Sequence, residues 1–500
     1  MIAYTSVSAK PDEPYPPNCE TLSLAFPCPG TPGSSHLTEW EKYSKNPILP
    51  SAPSDKVIAW RDPYARDWET LDRVRGKEPG EVSYGIIAGG YKSIGSALFL
   101  YEIDKQKVED WTYLGDFGSK SSCWGGKPVD RWGADMRDIF EVANFVTLSA
   151  KVKSADGSNT TREEKRDFFM MSAATWASED STKFTPPQRP PRQEIFVSGD
   201  FAKCSEETVT FQPKVTGYID RGGYYAMNTF YDPNRAAVVA HAWIMEDDLS
   251  HDKRHEQGWS GFLALPRIIK LEAISDVSGC LGDKLEEISS IELLPGATKD
   301  THTVLALNVA PCQDVIDALK DRAEQKQSWD EDAIEQEIKT SSRRCIALGT
   351  VPSHTAILQT KFHVKEDERD PIVIRLRHNE DLSFHTSILF DTASGTITVD
   401  RSKSVSSEDA QHCDTRPEVV PHVLFYCRDE EGKSVLETLD VTVVLDHGVI
   451  EVFVNGRTAI TTRIYTGHEE GCDHLSLEFG QRGVRSVELW HGLSCTLDYV

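Results

Sequence analysis

A single carboxylate stands in a run of residues that otherwise favours a buried β-strand. The run is Ile139-Phe-Glu-Val-Ala-Asn-Phe-Val-Thr-Leu148, and its acid is Glu141. An ionised carboxylate in a buried sheet is costly without a partner or a function, and burial makes a carboxyl keep its proton longer. A carboxyl that keeps its proton can act as a general acid, so Glu141 is a candidate catalytic residue. Because a lone glutamate in a strand is more often a structural or edge residue, other motifs must support this interpretation.

An Arg-Asp-Pro tripeptide provides the second candidate. It follows Trp60 as Arg61-Asp62-Pro63, where the proline ends the strand register and the arginine can hold the carboxylate in one rotamer. A carboxylate fixed in this way is suited to accepting hydrogen bonds from sugar hydroxyls. The same tripeptide recurs as Arg369-Asp370-Pro371 in a charged stretch, where it predicts a solvated turn.

The composition disfavours several classes of partner. The chain of 500 residues has 54 Lys and Arg against 79 Asp and Glu, and its formal charge of −25 argues against nucleic acid and anionic membranes. Neutral small molecules such as sugars fit better. No apolar run reaches the about 18 residues of a membrane-spanning helix, and the first residues lack the layout of a signal peptide. The 11 cysteines include no Cys-x-x-Cys pair, so we expect no metal and no cofactor.

The elements that must position these residues are mostly strands. Residues 1–272 contain many short β-favouring runs, spaced as in four-stranded blades, which predict a β-propeller, although a sandwich has a similar spacing. The first run already begins at Met1. We therefore expect either an edge strand there or the absence of residues that belong upstream.

The rest of the chain predicts a connector and a second domain. Residues 273–344 are predicted to be a connector with one or two helices, because apolar positions after Asp314 recur at helical spacing. Residues 345–500 return to β-type runs and predict a β-sandwich. One of these runs leads into Asn455-Gly456, a pair suited to a tight hairpin turn.

Five motifs in this order resemble those of glycoside hydrolase family 32, the invertase, inulinase and fructosyltransferase group, in its fungal branch. They are Trp60-Arg-Asp-Pro63, Phe140-Glu-Val-Ala-Asn-Phe145, Tyr225-Ala-Met-Asn-Thr-Phe-Tyr-Asp232, Gly258-Trp-Ser-Gly261 and Val444-Leu-Asp-His-Gly-Val-Ile-Glu-Val-Phe453. The resemblance covers most of the chain. It implies an all-β protein, a five-bladed propeller followed by a C-terminal β-sandwich, in which the first blade is missing or incomplete.

The resemblance also implies an activity and a set of residues. The family acts on β-fructofuranosides such as sucrose and inulin-type fructans with retention, which requires a nucleophilic and an acid/base carboxylate about 5 Å apart. By position, Glu141 would be the acid/base and Asp62 would stabilise the transition state. Arg61 and Trp60 would bind substrate, and Glu246, Asp247 and His255 would contact bound sugar.

The departures from the family pattern concern the nucleophile. The family places it in an Asn-Asp-Pro type motif, and no Asn-Asp pair occurs in these 500 residues. A chain without it is expected to have impaired turnover, because the covalent step is lost. The alternatives are a non-catalytic fructan-binding protein, a fructosyltransferase and, more remotely, an arabinosyl-specific propeller glycosidase. Compartment, secreted or cytoplasmic, and oligomeric state are left open by the sequence.

Overall fold

The computed structural model describes residues 1–8, 19–28, 39–118, 130–153, 160–175, 191–203, 208–340, 345–364, 370–465, 471–479 and 483–494. Within these ranges nearly all regular structure is β-strand. Three antiparallel sheets come first along the chain. Their strands are β1 (Ile2–Val7), β2 (Glu20–Pro27) and β3 (Trp40–Lys42) in the first sheet, β4 (Val57–Arg66), β5 (Ser83–Tyr91), β6 (Gly95–Ile103) and β7 (Trp111–Gly118) in the second, and β8 (Ile139–Lys153), β9 (Thr161–Ala174), β10 (Arg192–Lys203) and β11 (Val209–Asp220) in the third.

The first strands of successive sheets lie against one another. Strand β4 contacts β8, and β8 contacts β12 (Tyr224–Asp232), the first strand of the next sheet. In the second sheet, β5 needs a glycine at position 89 where it pairs with β4, because a Cβ on Gly89 would lie only 1.8 Å from the carbonyl oxygen of Ala59. Four-stranded antiparallel sheets arranged in this way are typical of a β-propeller.

The fourth sheet has eight described strands and mixes distant parts of the chain. Its main path is β12-β13-β15-β17-β16, with β14 on β13, β25 on β15 and β26 on β25. The new elements are β13 (Ala237–Ile244), α2 (His251–Gln257), β14 (Phe262–Leu263), β15 (Arg267–Cys280), β16 (Ile291–Pro295), β17 (His302–Pro311), β25 (Phe425–Arg428) and β26 (Ser434–Leu436); helix α1 (Glu69–Arg75) precedes β5.

Two six-stranded sheets form the C-terminal sandwich. Their orders are β18-β31-β20-β27-β28-β29 and β19-β30-β21-β22-β23-β24. The elements are α3 (Gln313–Asp321), β18 (Gln325–Asp330), α4 (Glu331–Thr340), β19 (Cys345–Thr350), β20 (Thr355–His363), β21 (Ile372–His378), β22 (His385–Asp391), β23 (Thr396–Lys403), β24 (Glu418–Pro421), β27 (Leu439–Asp446), β28 (Val449–Val454), β29 (Thr458–Arg463), β30 (His474–Glu478) and β31 (Gly483–His491). Leu358 and Val443 from one sheet share a single apolar core with Ile374 and Ile388 from the other.

The predicted fold class, a β-propeller followed by a β-sandwich, is confirmed, while the count of five blades stays a prediction.

The predicted connector needs a correction. Residues 273–311 are not a connector, because β15 and β16 both pair with β17 in the fourth sheet. Only α3 and α4, with β18 between them, match the helical part of that prediction. Strands β16 and β17 are separated by the turn that begins at Gly296, and the sequence pattern alone did not reveal that both belong to the same sheet as β15.

One buried ionic cluster joins the two domains. The Arg267 side chain is fully buried, and its Nη2 donates to Asp220 Oδ2 at 3.0 Å and to Glu451 Oε2 at 2.9 Å. The same nitrogen lies 2.6 Å from Thr461 Oγ1. Asp220 ends the third sheet, whereas Glu451 and Thr461 belong to the sandwich. The guanidinium therefore ties the propeller to the sandwich in a place that water does not reach.

No helix within the described ranges is long and apolar enough to cross a membrane.

Replacing Arg267 by leucine should destabilise the protein by about 3–5 kcal/mol, because two buried carboxylates lose their counter-charge. The free energy of chemical denaturation measures this effect. The matched control is Lys361→Met, which breaks the ion pair between Lys361 and Asp440, two side chains that are 49% and 42% exposed. That change should cost less than about 1 kcal/mol. Equal losses in the two variants would contradict the role assigned to Arg267.

Candidate active site

Three functional motifs lie at β-bulges of the same kind. The register slips between Arg61 and Tyr64 in β4, between Glu141 and Asn144 in β8, and between Tyr225 and Asn228 in β12. Each slip contains a left-handed residue that is not glycine, namely Asp62 (φ 59°), Val142 (φ 44°) and Ala226 (φ 56°). Such conformations are costly, above all for a β-branched valine, and they concentrate at functional sites. The three bulges bring Asp62, Glu141 and Tyr225 together where the first strands meet.

The guanidinium of Arg61 connects two carboxylates. Its Nε and Nη2 donate to Glu141 Oε1 at 3.1 and 2.8 Å, and its Nη1 donates to Glu20 Oε1 at 2.6 Å. The hydroxyl of Tyr225 donates to the other oxygen of Glu141 at 2.5 Å. Although burial opposes it, the charges of Glu141 and Glu20 raise the pKa of Arg61 above its usual value. The charge of Glu141 thus has the partner that its strand position demands, and the side chain is still 22% exposed.

Asp62 lies directly beside this ion pair. Its Oδ2 accepts a hydrogen bond from the backbone N–H of Val142 at 3.1 Å, and its own N–H donates to Thr5 Oγ1 at 2.9 Å. Burial raises the pKa of Asp62, and the hydrogen bond from Val142 and the charge of Arg61 oppose this rise. The structure therefore brings the predicted acid/base candidate and the predicted stabilising carboxylate to the same place.

A buried amide joins the second and third bulges. Asn144 is fully buried, and its Nδ2 donates to the carbonyl oxygens of Val142 at 3.0 Å and Met227 at 2.9 Å. Its Oδ1 accepts from the N–H and the hydroxyl of Thr229, at 2.9 and 3.1 Å. Every one of these partners lies in or beside a bulge, so Asn144 fixes the separation of Glu141 from Tyr225.

A buried acid supports the third bulge from behind. Ser172 Oγ accepts from the N–H of Ala226 at 3.0 Å and donates to Glu194 Oε2 at 2.6 Å. The N–H of Met227 reaches the same oxygen of Glu194 at 3.4 Å. Burial raises the pKa of Glu194 from 4.5 to about 8. The acid is therefore neutral at neutral pH, which is the inexpensive state for a fully buried carboxyl.

The sequence interpretation did not find all of these residues. Glu20, Asn144, Ser172 and Glu194 were missed, and Tyr225 was quoted in a motif without a role. One usable signal existed for Glu20 and Glu194. Each lies within the first three residues of a strand that is rich in apolar residues, as Glu141 does in β8.

Two of the predicted substrate contacts, Trp60 and Glu246, have buried side chains. The ring of Trp60 is buried in the core of its sheet and packs edge-on against Tyr101 at 6.4 Å. Glu246 is also buried, and its oxygens accept from Gln257 Nε2 and from the N–H of Gly261. The structure does not bring either side chain to a surface where sugar could touch it, because both are needed for packing or for local hydrogen bonds.

Asp247 and His255 are placed more favourably. Asp247 accepts from Arg192 at 3.1 Å, and the Arg192 guanidinium lies 5.6 Å from the centre of the Tyr225 ring. Asp247 is thereby linked to the rim of the site. His255 is exposed on α2. Among the residues that the structure describes, no group of three or more His, Cys, Asp or Glu side chains is arranged to hold a metal.

Glu194→Gln should remove a contribution of this acid that lowers the free energy of unfolding as pH rises. The folded protein keeps the proton of Glu194 up to about pH 8, whereas the unfolded chain releases it near 4.5, so this group makes the fold less stable as pH rises through that window. The stability of Glu194→Gln relative to the unchanged protein should therefore increase over the same range, as measured by chemical denaturation at several pH values.

A second glutamine variant provides the control. Although burial opposes it, the hydrogen bonds and charge of Arg166 lower the pKa of Glu164, so this acid is ionised in both states above its ordinary value of 4.5. Glu164→Gln should show no such trend above that pH. A flat pH profile for Glu194→Gln would mean that the acid is ionised in the folded protein.

The sequence matches two family models in order. The N-terminal domain of glycosyl hydrolases family 32 matches residues 4–278, and the C-terminal domain of the same family matches residues 315–491. A vacuolar acid beta-fructofuranosidase 2 of Rosa hybrid cultivar is 24% identical over 439 residues, which cover 86% of this chain and 58% of the relative. The chain thus spans less than two thirds of the length of that relative.

Solved structures share the fold. The beta-fructofuranosidase of Aspergillus kawachii, complexed with glycerol, has a TM-score of 0.74 at 22% identity, covering 98% of this chain and 80% of that one. The wild-type fructosyltransferase of A. japonicus gives the same score and identity, with 98% and 81% covered. With both domain models matched over most of its length, the chain belongs to glycosyl hydrolase family 32.

Proposed function

We propose that this chain carries a β-fructofuranoside site of the kind used on sucrose and inulin-type fructans, with Glu141 as acid/base and Asp62 as the stabilising carboxylate. The single observation that carries the proposal is the Arg61–Glu141 ion pair beside Asp62, whose carboxylate accepts a hydrogen bond from the N–H of Val142, the residue after Glu141. The names of the relatives, β-fructofuranosidases and a fructosyltransferase, support the substrate class.

The individual roles follow from the contacts. Glu141 is reachable by solvent and is oriented by Arg61 and Tyr225, so a sugar oxygen can approach it. Asp62 is held by Val142 and can accept hydrogen bonds from sugar hydroxyls with its remaining lone pairs. Asp247 and His255 would contact the outer part of the substrate. These assignments need no metal or cofactor.

We further propose that turnover by these 500 residues is impaired. A retaining glycosidase needs a nucleophilic carboxylate about 5 Å from the acid/base. Glu20 is the third acid at the site, but its two oxygens are taken by Arg61 and by the N–H of Trp60, and its side chain is 6% exposed. Glu20 is thus unsuited to attack a sugar. The site would then hold sugar without forming the covalent intermediate.

The turnover proposal is tested with a polypeptide of these 500 residues. Glucose release from sucrose should be slower than in an active family member by on the order of 10³-fold or more, as when a covalent enzyme loses its nucleophile. The ratio of glucose to fructose released at high sucrose separates hydrolysis from transfer. Rates comparable to those of an active member would refute the impairment but leave the site assignment intact.

The site itself is tested by binding. Asp62→Asn should weaken the binding of sucrose or inulin oligomers, measured by calorimetry, by roughly 10-fold or more, since a hydrogen bond to a charged group contributes about 1.5–3 kcal/mol. Asp370→Asn is the matched control, because Asp370 precedes Pro371 in the same tripeptide but is exposed. Binding without hydrolysis that is lost only in Asp62→Asn would favour the fructan-binding alternative. Absence of both binding and hydrolysis would refute the site.

A further inference from the structure

A cavity of about 490 Å³ lies between the propeller and the sandwich, away from the carboxylate site. Helix α2 and the segment after it form one wall, with Lys253, Trp259 and Phe262. Turns of the sandwich form the opposite wall. Its volume lies in the range of pockets that bind small molecules.

Two arginine and two histidine side chains meet on the sandwich wall. Arg377 Nη1 donates to the carbonyl oxygen of His447 at 3.2 Å, and the N–H of His447 donates to the carbonyl oxygen of His354 at 2.8 Å. Arg463 borders the same turn, because a Cβ on Gly448 would lie 3.3 Å from Arg463 Nη1. Arg377, Arg463, His354 and His447 thus lie at or beside one hairpin turn, and all four residues line the cavity. Arg463 is paired with Glu246 at 3.4 Å, and the His447 ring contacts Asp446 at 2.7 Å.

Among the described residues, no carboxylate forms an ion pair with Arg377. The side chain is 2% exposed, and its hydrogen bonds go only to the backbone oxygens of Cys472 and His447, with no ion pair among the described residues. The carboxylates that line the cavity, Glu256 and Asp409, already pair with Lys253. Burial lowers the pKa of Arg377 from 12.5 to about 10, although Cys472 and Asp473 oppose this change. A buried cation without a counter-charge is costly, and an anion in the cavity would remove that cost.

The backbone is strained at the same place. His354 (φ 58°), Arg377 (φ 49°) and His447 (φ 49°) are all left-handed, although none is glycine or asparagine. Arg377 also sits at a register slip between Arg375 and His378 in β21. Three such residues around one cavity indicate that the fold maintains this arrangement despite its cost, as it does at functional sites.

The opposite wall is suited to a sugar ring. Trp259 is 47% exposed, and its ring is held edge-on by Phe262 at 4.6 Å. The face of an exposed indole packs well against the apolar side of a pyranose or furanose. We propose that this cavity binds a sugar-sized anion, a phosphorylated or carboxylated monosaccharide, with Arg377, His354 and His447 around the anionic group and Trp259 against the ring. The inference does not depend on the function proposed for the carboxylate site.

Fructose 6-phosphate and fructose are the probes, and calorimetry with the full chain is the measurement. Fructose 6-phosphate should bind at least about tenfold more tightly than fructose, a difference of about 1.4 kcal/mol. Arg377→Gln should abolish this preference. Because a buried arginine can be needed for folding, His447→Asn and Trp259→Ala replace exposed side chains of the same site, and each should weaken the binding of fructose 6-phosphate several-fold. Asparagine is chosen because it tolerates the left-handed conformation.

Matched controls separate this site from others. His363→Asn and Trp40→Ala alter an exposed histidine and an exposed tryptophan outside the cavity and should leave binding unchanged. The preference for fructose 6-phosphate should also survive in Asp62→Asn. Equal affinity for the two probes, or a preference that is lost in Asp62→Asn but kept in His447→Asn and Trp259→Ala, would overturn the proposal.

Discussion

The guanidinium of Arg61 is the interaction on which the rest of the site depends. It carries the only charge of opposite sign that directly contacts Glu20 and Glu141 among the hydrogen bonds of the described residues. Without it, the buried Glu20 and the partly buried Glu141 would lose the cation that both of them contact. With it, Glu141 can remain close to Asp62 while both stay oriented. The acid/base candidate is therefore held by electrostatics as much as by its strand.

The backbone supports this electrostatic arrangement in a repeated manner. Each of the strands β4, β8 and β12 turns a polar side chain out of its regular register by means of one left-handed residue. A regular strand would alternate its side chains between two faces and would direct only every second one to the centre. The bulges remove that restriction, and the buried groups Asn144 and Glu194 provide the hydrogen bonds that the irregular backbone loses.

Ion pairs between arginines and carboxylates also join the two domains, and these pairs are more deeply buried than the one at Arg61. Arg267 satisfies Asp220 and Glu451 across the boundary, and Arg401 bonds Asp248 of the propeller at 2.7 Å. Such ion pairs fix orientation because a shifted domain would leave buried charges unpaired. Arg377 differs from both, since it is equally buried but has no carboxylate in an ion pair with it among the described residues. That contrast is what distinguishes the cavity between the domains from ordinary interdomain packing.

The sequence by itself determined the β-rich class, because strand periodicity is encoded locally. The resemblance of its motifs to family 32 supplied the order of propeller and sandwich and the roles proposed for Asp62 and Glu141. Only the tertiary structure decided which side chains form ion pairs and hydrogen bonds with one another at the site. Arg61 meets residues 41 and 80 positions away, and no local pattern specifies such pairings. For the same reason the sequence placed Trp60 and Glu246 at the substrate and residues 273–311 in a connector. Whether an aromatic or acidic side chain faces solvent or the core depends on sheets that pair only when the chain folds.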